Sequence, residues 1–143
     1  MRSNAILLVE DNEDDVFLMQ FALKSANIAN LLHVVEDGER AVEYLSGAGP
    51  YADRAQFPYP GLVFLDVKLP YMSGFDVLEW MHSRSDLPRP PVIVLSSSNS
   101  PRDIELAARF GAGYAIKPPT TELFERVAND YGIVWLRPPV LAP

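Results

Sequence analysis

Five short apolar runs alternate with stretches of helical periodicity, and that alternation leaves few folds open to the chain. The runs are Ala5–Val9, Leu31–Val35, Gly61–Leu65, Val92–Leu95 and Tyr114–Ile116. Each is continuous rather than alternating, the pattern of a strand covered on both faces. Strand and helix in strict alternation predict an α/β fold. The expected architecture is a doubly wound, five-stranded parallel sheet with helices on both sides.

The helix boundaries carry local signals. Asn12 is placed to cap the first helix, with Glu13, Asp14 and Asp15 in its first turn facing the positive helix end. Val16, Met19 and Leu23, together with Phe17 and Phe21, are spaced for burial along a helix reaching about Ala26. Asp37-Gly38 turns into a short helix carrying Ala41, Val42 and Leu45. Ser73 with Asp76 three residues on resembles a capping box, and Val77, Leu78 and Met81 supply that helix's buried face. Ser100-Pro101 pairs a cap with a first-turn proline, and Thr120 precedes a last helix with Leu123, Phe124, Val127 and Tyr131.

Ser46–Pro60 breaks the pattern. Gly47, Gly49-Pro50, Pro58 and Pro60 predict a long surface loop, pinned by Tyr51, Phe57 and Tyr59 through packing alone. No internal repeat or low-complexity segment appears. The organisation expected is one domain over 1–131 and a tail over 132–143. Ile133–Leu136, Val140 and Leu141 make the tail apolar, so it either folds back or packs against another copy. A homodimer is expected.

Composition removes several functions. The chain has no cysteine, which excludes disulfides, thiol catalysis and cysteine-based zinc sites. Its net charge of −7 is the wrong sign for direct nucleic-acid binding. The amino-terminal apolar run is too short for a signal peptide and none is long enough to span a membrane, so a cytoplasmic location is expected.

The residues closing four of the strands carry the chemistry: Glu10 and Asp11, Asp66, Ser96 and Lys117. A parallel sheet brings all of them to one edge, where open α/β sheets bind ligands. Three crowded carboxylates repel and raise one another's pKa, so positive charge must compensate. Lys117 supplies one charge and a hard divalent cation such as Mg2+ two, which balances the three acids. Such a site suits phosphoryl transfer, with a carboxylate as nucleophile. Asp66, central and preceded by an apolar strand, is the candidate. Ser96 can donate to a phosphoryl oxygen. His33 and His82 have no partner at ligand spacing and read as strand-packing and helix-end residues.

The segments ILLVEDN, VFLDVKLPYMSGFDVL, VIVLSSS and GYAIKPP resemble the receiver domain of bacterial two-component response regulators, the chemotaxis-regulator type, over nearly the whole chain. The resemblance implies a flavodoxin-like strand order of 2-1-3-4-5. It implies Asp66 as phosphoacceptor, Asp11 and Asp66 as direct Mg2+ ligands, Glu10 acting mainly through water, and the Lys68 carbonyl as third protein ligand. It further implies Ser96 as switch hydroxyl, Tyr114 as switch aromatic, Lys117 as phosphate-binding lysine, and a cis peptide before Pro118. The donor implied is a histidine of a sensor kinase. Lys68 departs from the asparagine often found there, which bears on dephosphorylation rate. Ser98 replaces a larger polar residue found in some members. The long loop and the tail with Trp135 resemble single-domain regulators that partner bacterial phytochrome histidine kinases.

Other readings have distinct requirements. A Mg2+-dependent phosphatase of the haloacid-dehalogenase class needs an acid two residues past the nucleophile, where Lys68 stands. A flavin or nucleotide domain would show G-x-G-x-x-G or G-x-x-x-x-G-K-[ST], and neither occurs. A receiver-like interaction module working without phosphorylation needs no intact site. The expected protein is a phosphoacceptor that assists its own phosphorylation and dephosphorylation, rather than an enzyme acting on other substrates.

Overall fold

The computed structural model describes residues 3–139. Strands β1 (Ile6–Val9), β2 (Leu32–Val35), β3 (Leu62–Asp66), β4 (Val92–Ser96) and β5 (Gly113–Ile116) alternate with helices α1 (Glu13–Ser25), α2 (Gly38–Ser46), α3 (Gly74–Ser83), α4 (Pro101–Arg109) and α5 (Thr121–Tyr131). All neighbours pair in parallel, in the order β2-β1-β3-β4-β5. The expected doubly wound sheet and its strand order are both present.

Alternation along the strands divides the core. Leu7, Val9, Val63, Leu65 and Val94 face α2, α3 and α4. Ile6, Leu8, Phe64, Leu95 and Ala115 face α1 and α5. Phe64 and Phe124 meet edge to face across the second layer, centroids 6.2 Å apart. Full burial of each contributes roughly 2–3 kcal/mol.

The caps read at Asn12, Ser73 and Ser100 form, and Asp37 and Thr120 cap as well. Asn12 accepts from the amides of Asp14 and Asp15, Asp37 from Arg40, Ser100 from Asp103 and Thr120 from Leu123. Ser73 and Asp76 complete a reciprocal capping box. The 46–60 segment contains one 3-10 turn at Gly49–Tyr51 and is pinned by hydrogen bonds as well as by the expected packing. Tyr44, Tyr51 and Phe57 pack together, the Arg54 guanidinium donates to the carbonyls of Tyr44, Leu45 and Phe57, and the Tyr59 hydroxyl donates to Pro88.

One expectation changes, and one open alternative is decided. Phe17 and Phe21 lie on the solvent side of α1, 62% and 60% exposed, stacked on each other at 6.4 Å. Met19 and Leu23 form the buried stripe instead. Both sets have helical spacing, and only the sheet position selects between them. The tail folds back. The Trp135 indole donates to the Phe124 carbonyl and meets its ring edge to face. Leu136 exchanges hydrogen bonds with Ala29 and Asn30, and Arg137 donates to the carbonyls of Ala26 and Asn27. Val140 and Leu141 lie outside the described residues. No described helix is long and apolar enough to cross a membrane.

Candidate functional site

Strand register builds the site. Val9 pairs with Leu65, so Glu10 and Asp66 are neighbours at adjoining strand ends, where the strand order reverses. Glu10 follows the alternation of Leu8, Asp66 that of Phe64, and Lys117 that of Ala115, so all three lie on the α1/α5 side of the sheet. Asp66 is the last residue of β3 rather than the first residue past it.

The contacts are short. The Lys117 ammonium lies 2.7 Å from Glu10 Oε1, 2.8 Å from Asp15 Oδ2 and 3.2 Å from Asp66 Oδ1. Glu10 and Asp66 are buried and Asp11 is exposed at the mouth. Carboxylate oxygens of Glu10, Asp11 and Asp66 all lie within 4.8 Å of one another. A hexacoordinate cation with ligands at about 2.1 Å can take such a set directly or through one water. The oxygen-only donor set therefore fits a hard divalent ion.

Asp15 was read only as a helix-start residue, and the structure adds it to the site. It stands in the first turn of α1, three residues past the Asn12 cap and close in sequence to Glu10 and Asp11, and that crowding of acids after β1 is the one signal that could have found it. It brings the site to four carboxylates, three of them on Lys117, so a lysine and one divalent ion leave an excess negative charge. Burial is the main cause that pushes Glu10 up to about 7, with the Asp66 charge adding to it and the Lys117 contacts opposing. Protonation of Glu10 relieves the excess. Burial disfavours the Lys117 charge, yet its hydrogen bonds to Asp15 and Glu10 and the Asp66 charge more than offset this, holding it above the ordinary lysine range.

The Glu10 shift sets a pH dependence. Folded protein holds this proton where unfolded protein, near 4.5, has released it. Stability of the metal-free protein is expected to fall as pH rises from about 4.5 to about 7, by up to about 3 kcal/mol. Glu10→Gln is expected to flatten that decline. Urea unfolding in chelator at pH 5 and pH 8 measures it, and equal slopes for both proteins would contradict the assignment.

Ser96 is buried at the end of β4 on the other side of the sheet, and its Oγ accepts from the Ser98 amide at 3.1 Å. The Lys117 amide donates to the Ser96 carbonyl at 2.8 Å, tying the two strand ends together. Tyr114 is half-buried, and its hydroxyl donates to the Ser98 carbonyl at 2.7 Å. Tyr114 thus touches the β4–α4 loop and not the carboxylates. Lys68 is exposed on the β3–α3 loop. The Lys117-Pro118 peptide is cis. His33 packs against Tyr44 and Phe57, and His82 sits in the last turn of α3.

Comparison with known families decides what this arrangement belongs to: the model for the response regulator receiver domain matches residues 6–128. The chain belongs to the response regulator receiver domain family. Such receivers serve two-component phosphorelays and have histidine kinases as partners. This receiver is 38% identical over 99 residues to the response regulator Rcp1 of Synechocystis sp., a match spanning 69% of this chain and 65% of Rcp1. It is also similar to the structure of the bacteriophytochrome response regulator AtBRR, with TM-score 0.81 and 34% identity over 92% of this receiver and 94% of that chain. The Mn(2+)-bound form of Rcp1 superposes with TM-score 0.72 at 31% identity, covering 95% and 99%.

Proposed function

We propose that this receiver accepts a phosphoryl group on Asp66 from a phosphohistidine of a phytochrome-type sensor kinase. The observation that carries the reading is the Lys117 ammonium held against Asp66 and Glu10 beside a converging set of carboxylates. An Asp66 oxygen attacks phosphorus in line, the P–N bond breaks, and the departing imidazole takes up a proton. The carboxylate's single negative charge becomes the double charge of an acyl phosphate. Lys117 shifts from Asp66 to a phosphoryl oxygen. Asp11, Asp66 and the Lys68 carbonyl would hold Mg2+, with Glu10 acting mainly through water; the ion supplies positive charge to the phosphoryl oxygens.

The switch follows from the hydrogen bonds around Ser96. Turning its hydroxyl to a phosphoryl oxygen releases the Ser98 amide, and the Tyr114 hydroxyl on the Ser98 carbonyl moves with that loop. The surface from Phe110 to Tyr114 and α5 is then remodelled for a partner. The relatives' names support the phytochrome pairing, and the reading places the protein in the cytoplasm as a phosphoacceptor that assists its own phosphorylation and dephosphorylation.

The solvent face of α1 gives the kinase a seat. Phe17 lines the mouth of the site with Glu10, Asp11 and Val34, and Phe21 continues the stripe one turn on. Exposed aromatics beside a reacting carboxylate suit an apolar helical face carrying the histidine. Phosphotransfer from a phosphorylated bacteriophytochrome kinase tests this. Phe17→Ala with Phe21→Ala is expected to slow transfer at least tenfold while labelling by acetyl phosphate is unchanged. Equal slowing of both reactions would remove α1 as the docking face, and no transfer from any such kinase would remove the phytochrome pairing.

The tail, 132–143, is proposed to support a homodimer beside the receiver proper, 1–131. It already packs on its own domain through Trp135, yet leaves Val134 and Leu136 exposed, and Leu136 is bonded to Asn30, the residue before exposed Leu31. Sedimentation is expected to show a dimer for the full chain and a monomer for a chain ending at Tyr131. An unchanged state after truncation rules out the tail as the contact.

A further inference from the structure

A second cleft, of about 590 Å³, opens at the opposite end of the sheet from Asp66, between the carboxyl ends of α3 and α4. That volume lies within the range of small-molecule sites. Its floor is apolar, from Leu78, Met81 and Phe110, and its rim carries His82, Arg89 and Arg109. The chain has 19 acidic residues against 12 basic ones, yet no Asp or Glu lines this cleft.

The rim is held in place by its own hydrogen bonds. His82 Nε2 lies 2.8 Å from the Phe110 carbonyl oxygen, which can only accept, so Nε2 carries the hydrogen. His82 Nδ1 then presents a lone pair to the Arg89 guanidinium at 3.5 Å, and Arg89 also donates to the His82 carbonyl at 3.0 Å. The guanidinium is positioned by groups that carry no negative charge to cancel its own. No carboxylate pairs with Arg89 among the described residues. Among the described residues Arg109 pairs with Glu105 alone, in a bridge whose partners are 71% and 69% exposed and which binds weakly. Two guanidiniums above an apolar floor match a ligand with one anionic group and a flat apolar body.

We propose that this cleft binds a small amphipathic organic anion, its carboxylate, sulfonate or phosphate on Arg89 and Arg109 and its apolar body against Met81 and Phe110. The site does not involve the carboxylate cluster and stands apart from the phosphorylation reading.

Anilinonaphthalene sulfonate is the probe, titrated at neutral pH by fluorescence and by amide chemical shifts. Saturable binding is expected, with the largest shifts at Arg89, Phe110 and Gly111. Arg89→Gln with Arg109→Gln is expected to weaken the Kd at least tenfold, whereas Arg102→Gln, outside the cleft, leaves it unchanged. The uncharged phenylnaphthylamine is expected to bind at least tenfold more weakly than the sulfonate. Thermal melts of each variant establish that it is folded, and Arg89→Lys alone is expected to retain part of the affinity. Binding that is absent, equal in the double variant, equal for the uncharged analogue, or centred instead on a separate cleft lined by Ser3, Asn30, Gly61 and Trp135 would overturn the proposal.

Discussion

Asp66→Asn is expected to abolish phosphorylation. Treated with acetyl phosphate and Mg2+, the wild-type chain gains the mass of one phosphoryl group and the variant gains none. The carboxylate oxygen is the nucleophile, and an amide at the same position has no free electron pair of comparable reactivity. The variant is expected to remain folded, which separates lost chemistry from lost structure. Asp66 is one of three carboxylates on Lys117, and Glu10 and Asp15 keep their contacts with that ammonium. Removing the Asp66 charge also removes one of the causes that raise Glu10. Melting at or above the wild-type midpoint with no mass gain is the full expectation. A phosphoryl gain on the variant would falsify Asp66 as the acceptor and move attention to Asp11 or Asp15.

Gly74→Ala is expected to be the most damaging single-methyl change near the site. Gly74 opens α3, and its amide donates to the Val67 carbonyl at 3.1 Å. A methyl group on it would overlap the carbonyl oxygen of Asp66 and press on the Asp66 carbonyl carbon and the Val67 Cα at 3.1 and 3.2 Å. These are backbone atoms at the end of a buried central strand, so no side chain can swing aside. Overpacking there costs about 3 kcal/mol or more, a fall of roughly 10 °C in melting midpoint for a domain of this size. Because the atom displaced belongs to Asp66, acetyl phosphate labelling is expected to slow as well. A midpoint within about two degrees of wild type, with normal labelling, would show that the α3 start yields more freely than the packing implies.

Much of this protein was legible before any coordinate. Continuous apolar runs mark buried strands because both faces of a parallel sheet are covered. Asn12, Asp37, Ser73, Ser100 and Thr120 mark helix starts because a side-chain acceptor must meet the free amides there. The convergence of Glu10, Asp66 and Lys117 needed only parallel strands and the polar residues that close them.

Other features were not local enough to read. Asp15 has a sufficient explanation in the helix dipole, and its second partner, Lys117, lies 102 residues away. The two arginines of the lower cleft come from a proline-rich turn and the end of α4, with nothing in either segment pointing to the other. Periodicity named Phe17 and Phe21 as buried because they share helical spacing with Met19 and Leu23, and spacing does not say which stripe meets the sheet.

The residues alone determined the order of elements, their caps and the set of strand-end groups, since each of these depends on interactions within a few positions. Tertiary structure alone decided which face of α1 stays wet, that Asp15 completes the lysine's ring of carboxylates, and where the tail lies. Those outcomes depend on packing between segments distant along the chain, whose relative placement no local pattern encodes.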